Sequence, residues 1–283
     1  MSKLVRINDL NYNPSLFETW ETGTHIDTMF SIKGGLPKAT NWMVTGDPGV
    51  GKSTVTLDIL ANCQRAGAKV LFISAEMNRV DLYLYVERYP KFGDLDVLFP
   101  QDLGEGCPKQ ILEDQLKSGW DVVLMDSFVE IQEVIREECS MSAKASEKWL
   151  LDLMYKHNLA ENDSKSYTTF LNIQQMTKGG TFTGSMRLKH MTTGMMEIKF
   201  DEDVEEERYV TFTKNRRGDV NKRMYFSLDS TGDVHYDFNR FKKNEELNEL
   251  RKQQKAELAE STKNFDKLFK LQAEEEEIKE AGS

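Results

Sequence analysis

The residues Gly46-Asp47-Pro48-Gly49-Val50-Gly51-Lys52-Ser53-Thr54 satisfy the pattern G-x-x-x-x-G-K-[ST] at every fixed position. Glycines at this spacing let successive backbone N–H groups turn inward around an anion. A helix that starts at the end of the loop aims the positive end of its dipole at the same point. In such a loop Lys52 meets the β- and γ-phosphates of a nucleotide, and the Ser53 hydroxyl sits on Mg²⁺. The chemistry implied is phosphoryl transfer.

Two acids follow apolar runs. Lys69-Val70-Leu71-Phe72-Ile73-Ser74 is continuous enough to be buried in a parallel sheet, and Glu76 comes directly after it. A carboxylate at the carboxyl end of such a strand, beside the strand that feeds the phosphate loop, can polarise a water attacking the γ-phosphate. The same position also suits a solvated loop acid. Residues 120–127 form a second run that ends in Asp126, the place for a carboxylate that holds the Mg²⁺ hydration shell. Residues 167–173 read as another strand, with Gln174 and Gln175 leaving it at the same edge, where an amide can report whether the γ-phosphate is present. Beyond it, residues 176–190 are rich in Gly and Thr and carry Lys178, Arg187 and Lys189. They read as a loop facing an anion or as a solvated turn.

These groups need elements to hold them. Residues 41–45 are a short apolar strand into the phosphate loop, and Val55, Leu57, Ile59 and Leu60 continue out of it with helical character. Helices are expected over residues 81–89, 108–119 and 146–157, while residues 128–144 read as polar and irregular. Residues 193–200, 208–213, 223–228 and 234–238 read as consecutive strands. Helix and strand alternating first, strands alone later, fits an α/β core whose parallel sheet gains an antiparallel edge. The expected organisation is an N-terminal arm over residues 1–22, a core over 23–240 and a charged, partly helical or disordered tail over 241–283. A heptad frame through Leu247 and Leu250 puts Gln254, Glu257, Ser261 and Asn264 on the seam, so a sustained coiled coil fails.

The net charge of −10 provides no global basic field, so any contact with nucleic acid must be local. Cys63, Cys107 and Cys139 never approach a C-x-x-C spacing, which argues against a disulfide framework and a zinc site. No stretch reaches bilayer-spanning length and the N-terminus lacks a leader pattern, so a cytoplasmic protein without membrane partners is expected.

Taken together, the motifs resemble those of the RecA-like ATPases, and among them the RadA/Sms recombination proteins and the DnaB-type replicative helicases. The resemblance rests on the phosphate loop, on Phe72-Ile73-Ser74-Ala75-Glu76-Met77, on Leu124-Met125-Asp126-Ser127, on Gln175, and on Lys214-Asn215-Arg216-Arg217-Gly218, which is similar to the K-N-R-F-G motif of RadA. It implies a RecA-like phosphate-loop core with ATP and Mg²⁺ as cofactors and Glu76 as catalytic base. It further implies Lys178, Arg187 and Lys189 toward single-stranded or branched DNA, and Lys214 and Arg216 reaching the nucleotide of the next subunit in a hexameric ring or filament. The RadA zinc motif is absent, Ala75 replaces a glycine, and Arg217 replaces the aromatic of K-N-R-F-G. The function implied is a DNA-stimulated oligomeric ATPase in recombination, repair or replication: a helicase, a branch-migration motor or a mediator. A phosphotransferase or KaiC-like autokinase, and a nucleotide-gated DNA-coating protein, remain alternatives on the same fold. Lys214 and Arg216 also fit a solvated basic turn.

Overall fold

The computed structural model describes residues 4, 6–9, 11–100, 107–175, 186–204 and 206–281. Its strands are β1 (Thr19–Trp20), β2 (Leu36–Pro37), β3 (Asn41–Gly46), β4 (Val70–Ser74), β5 (Asp96–Leu98), β6 (Val122–Asp126), β7 (Thr169–Ile173), β8 (Gly194–Phe200), β9 (Arg208–Asn215), β10 (Arg223–Leu228) and β11 (Val234–Tyr236). The helices are α1 (Asp27–Phe30), α2 (Lys52–Arg65), α3 (Arg79–Arg88), α4 (Pro108–Lys117), α5 (Phe128–Glu138), α6 (Ala143–Asn158), α7 (Met186–Met191) and α8 (Phe238–Ala281).

A nine-stranded sheet runs in the order β11-β10-β9-β8-β3-β7-β6-β4-β5. From β8 to β5 every pairing is parallel, and β9, β10 and β11 extend it antiparallel, as the strand pattern implied. Every residue of β3, β4, β6 and β7 is buried, which is why these strands read as unbroken apolar runs and not as alternation. The alternation survives in where the side chains go. Leu71, Ile73, Val123, Met125 and Phe170 share one core with Leu112, Leu116, Ile131, Ile135, Leu150 and Met154 of α4, α5 and α6. Phe72 points the other way and lines a small cavity with Leu57 of α2.

Residues 128–138 correct the irregular segment expected there. They form α5, because Phe128, Ile131 and Ile135 bury one narrow face and the Ser127 hydroxyl caps the start by accepting from the Glu130 N–H at 3.5 Å. Within the expected arm, Thr19 and Trp20 pair with Pro37 and Leu36, and Lys38 reaches back to Glu18 at 2.8 Å. Asp58 of α2 and Asp233 before β11 both accept from Lys91, a largely buried ion-paired lysine that neutralises the acid on α2.

By contacts the chain divides into residues Met1–Asp237 and Phe238–Ser283. In the second unit α8 is 44 residues long, with Leu247, Leu250 and Leu258 exposed and Phe238 stacked on Phe241 with ring centroids 6.0 Å apart. Among the described residues no helix is long and apolar enough to cross a membrane.

Candidate functional site

Parallel strands deliver their carboxyl ends to one edge. Ser74 lies opposite Asp126 and Gly46 opposite Ile198, so the loops that leave β3, β4 and β6 open a shared crevice. The phosphate loop occupies its centre. A β-carbon on Gly46, where φ is 154°, would lie 2.2 Å from the Ile198 carbonyl oxygen, so no other residue fits there. Gly51 has φ 100° and turns the chain into α2. Val50 is buried beneath the loop, whereas Asp47, Pro48 and Gly49 are exposed.

Lys52 folds back across the loop and donates to the carbonyl oxygens of Gly46 and Asp47, each at 3.0 Å. Burial lowers its ammonium below the ordinary lysine range, and the carboxylates of Glu76, Asp126 and Asp47 oppose that shift. The Thr54 hydroxyl turns away to Tyr85 Oη of α3 at 2.7 Å, so only the backbone of Thr54 belongs to the cradle.

Ser53 Oγ donates to Asp126 Oδ2 at 2.7 Å. Asp126 is buried, and its Oδ1 has no hydrogen-bond partner among the described residues. Burial pushes this carboxyl up to about 7; the Ser53 hydrogen bond opposes the rise and the neighbouring Glu76 carboxylate adds to it. The backbone N–H groups of Ala75 and Glu76 both donate to the Asp126 carbonyl oxygen, at 2.7 and 3.0 Å. The two strand ends thus bring the Glu76 carboxylate beside Asp126, whose buried Oδ1 is unpartnered among the described residues. That donor set of hydroxyl and carboxylate oxygens fits a hard divalent cation such as Mg²⁺.

Glu76 itself is exposed, on the bend between β4 and α3, and Gln175 is exposed just past β7. Both sit at the edge of the phosphate loop. Lys214 and Arg216 do not. Asn215 pairs with Gly194 at the start of β8, whereas Gly46 pairs with Ile198, four residues and roughly 13 Å farther along the strand. Lys214 Nζ donates to the carbonyl oxygens of Lys189 (2.6 Å), Thr192 (2.5 Å) and His190 (3.3 Å), and Arg216 donates to His190 O at 3.1 Å. The pair thus caps the carboxyl end of α7, where cations complement the helix dipole. Lys189 is exposed on α7; Arg187 is described by its backbone alone, and Lys178 lies outside the described residues.

A family model described as "ATPase: KaiC" matches residues 20–93. The chain is 30% identical over 203 residues to the DNA repair protein RadA of Campylobacter jejuni, across 71% of this chain and 43% of that protein. It is 31% identical over 205 residues to the protein RecA of Streptomyces ambofaciens, across 70% of this chain and 52% of that protein. Among solved structures, a KaiC-like protein from Pyrococcus horikoshii superposes with a TM-score of 0.58 at 18% identity, covering 78% of this chain and 99% of that one. The chain carries a RecA-like P-loop ATPase domain.

The chain spans about half the length of these curated relatives, or less. Two features of this ATPase domain had no signal in the sequence. Tyr85 as the partner of Thr54 depends on how α3 packs, and the carbonyl oxygens that receive Lys214 belong to backbone, which no residue type announces.

Proposed function

We propose that the chain is a DNA-stimulated oligomeric ATPase acting in recombination, repair or replication, with each active site completed by a neighbouring subunit. The observation that carries the reading is the pairing of the phosphate loop with Ser53 held on Asp126 and Glu76 hung from the Asp126 carbonyl. Lys52 exchanges its two loop carbonyls for the β- and γ-phosphate oxygens of ATP. Ser53 and Asp126 would hold Mg²⁺, which when bound would neutralise charge on the phosphate oxygens. Glu76 orients a water in line with the γ-phosphorus and takes its proton as the new P–O bond forms and ADP leaves. Gln175 reads whether the γ-phosphate is present.

Lys214 and Arg216 lie at the edge away from their own loop, which supports a role at the neighbour's nucleotide. Their contact with α7 would tie that role to the segment carrying Lys178, Arg187 and Lys189, which we assign to the phosphates of single-stranded or branched DNA. Relatives named for DNA repair support this assignment.

The test is Mg²⁺-dependent release of phosphate from ATP by the full chain, with and without single-stranded DNA, beside Lys52→Ala. DNA should raise the rate, and Lys52→Ala should abolish it. Phosphate retained on the protein would instead favour an autokinase, and a rate indifferent to DNA would remove the nucleic-acid part of the proposal.

A further inference from the structure

Cys107 and Cys139 are separated by 32 positions, yet their sulfurs stand 2.9 Å apart. Cys107 is the residue that begins α4, and Cys139 ends α5, its N–H bonded to the Ile135 carbonyl at 3.1 Å. Leu112 and Leu116 of α4 share a buried core with Ile131 and Ile135 of α5, so packing sets where the two helix ends meet.

The two thiols are unlike. Cys107 is exposed and sits at the start of a ten-residue helix, its carbonyl accepting from the Gln110 N–H at 2.9 Å and its sulfur near the backbone N–H groups of Lys109 and Gln110. Its thiol is lowered chiefly by the hydrogen bond with Cys139; burial opposes that shift, and the nearby N–H groups and the Lys109 ammonium add to it. Cys139 is half-buried, and burial together with Cys107 raises its thiol. An exposed thiol biased toward ionisation, with a second sulfur 2.9 Å away, is the arrangement of an oxidant-sensing pair. Cys63 is buried in the core, where burial pushes its thiol far above the ordinary range, so the chain contains its own inert reference.

We propose that Cys107 and Cys139 are a modification site: a dithiol that closes reversibly into an intramolecular disulfide on exposure to a peroxide. The Cys107 thiolate attacks one peroxide oxygen; an S–O bond forms, the O–O bond breaks, and hydroxide leaves and is protonated to water. The Cys139 sulfur then attacks the Cys107 sulfur; the S–S bond forms, the S–O bond breaks, and the second hydroxide leaves with the Cys139 proton as water. Two thiols give up two electrons and the peroxide takes them. The sulfurs need to close from 2.9 Å to about 2.05 Å, less than the motion of a side-chain torsion. A small dithiol reverses the reaction by exchange. The bond staples the start of α4 to the end of α5, the helix that begins at Phe128 directly behind Asp126 and Ser127.

The test exposes the reduced full chain to hydrogen peroxide, then alkylates it under denaturing conditions and weighs it. Two of its three thiols should become unreactive and the mass should fall by two hydrogens. A peptide joining Cys107 to Cys139 should appear within one chain, Cys63 should remain alkylatable, and dithiothreitol should restore all three thiols. Cys107→Ser should leave Cys139 reactive, and Cys139→Ser should leave Cys107 as a sulfenic acid that dimedone traps. Three reactive thiols after treatment, Cys107 oxidised further while Cys139 stays free, or a bond joining two chains would each overturn the proposal. The wild-type mass decides the matter even where a variant folds poorly.

Discussion

Asp126 and Glu76 place two carboxylates next to each other, one buried and one exposed, and their unequal surroundings assign them unequal work. On the proposed reading the buried carboxylate of Asp126 holds the cation and the exposed Glu76 exchanges a proton with water. Glu76→Gln should keep nucleotide affinity within a few-fold while lowering turnover by about 10²-fold or more, because an amide orients water but cannot accept its proton. Equilibrium binding of a fluorescent nucleotide beside phosphate release checks it, and unimpaired turnover would place the base elsewhere. Asp126 makes a second prediction. Its carboxyl is raised to about 7 in the folded chain against 3.8 in an exposed one, so without metal it favours folding most below pH 4, and that contribution is lost as pH climbs through 7. In chelator at pH 8, Asp126→Asn should therefore melt above the wild type, by up to about 4 kcal/mol of added stability, and the advantage should vanish near pH 4. A difference independent of pH would mean the carboxylate carries no such burden.

At the scale of elements, α7 depends on a side chain from another strand. Its last carbonyls point at Lys214, which is half-buried and has its ammonium lowered by burial first and by Arg216 and Lys189 after that. Lys214→Ala should fray the helix, so amide exchange at Leu188–Thr192 should speed up while β3 and β6 stay protected, at a cost of about 1–2 kcal/mol in global stability. Exchange unchanged in that stretch would show that the cap is dispensable. The strands β3, β4, β6 and β7 could be read from sequence because burial on both faces demands unbroken apolar runs. The phosphate loop, Glu76 and Asp126 could be located because each follows such a run. In contrast α5 is masked by its polar residues: Phe128, Ile131 and Ile135 keep the i, i+3, i+7 spacing of a helix, with Val129 and Val134 partly buried beside them, but Glu130, Gln132, Glu133, Arg136, Glu137 and Glu138 outnumber them. The meeting of Cys107 with Cys139 was illegible for a different reason, since it follows from how α4 packs on α5 and not from spacing along the chain.

At the scale of the molecule, the sheet separates two sets of residues. Gly46, Asp126 and Glu76 crowd one edge, while Lys214 and Arg216 occupy the other, too far along β8 and β9 to serve their own loop. That separation makes sense if the second edge of one copy faces the first edge of the next, as head-to-tail contacts in rings and filaments allow. Two inactive variants then test the account most directly. Lys214→Ala/Arg216→Ala lacks the cations we assign to a neighbour's site but keeps Glu76, and Glu76→Gln lacks the proposed base but keeps those cations. Each should turn over little ATP alone. Mixed in equal amounts, they should form assemblies in which on the order of a quarter of the interfaces join an intact Glu76 to intact cations. ATP turnover by that mixture, measured beside sizing that demonstrates co-assembly, should rise well above the sum of the two variants; co-assembled mixtures that stay at that sum would contradict an active site shared between subunits.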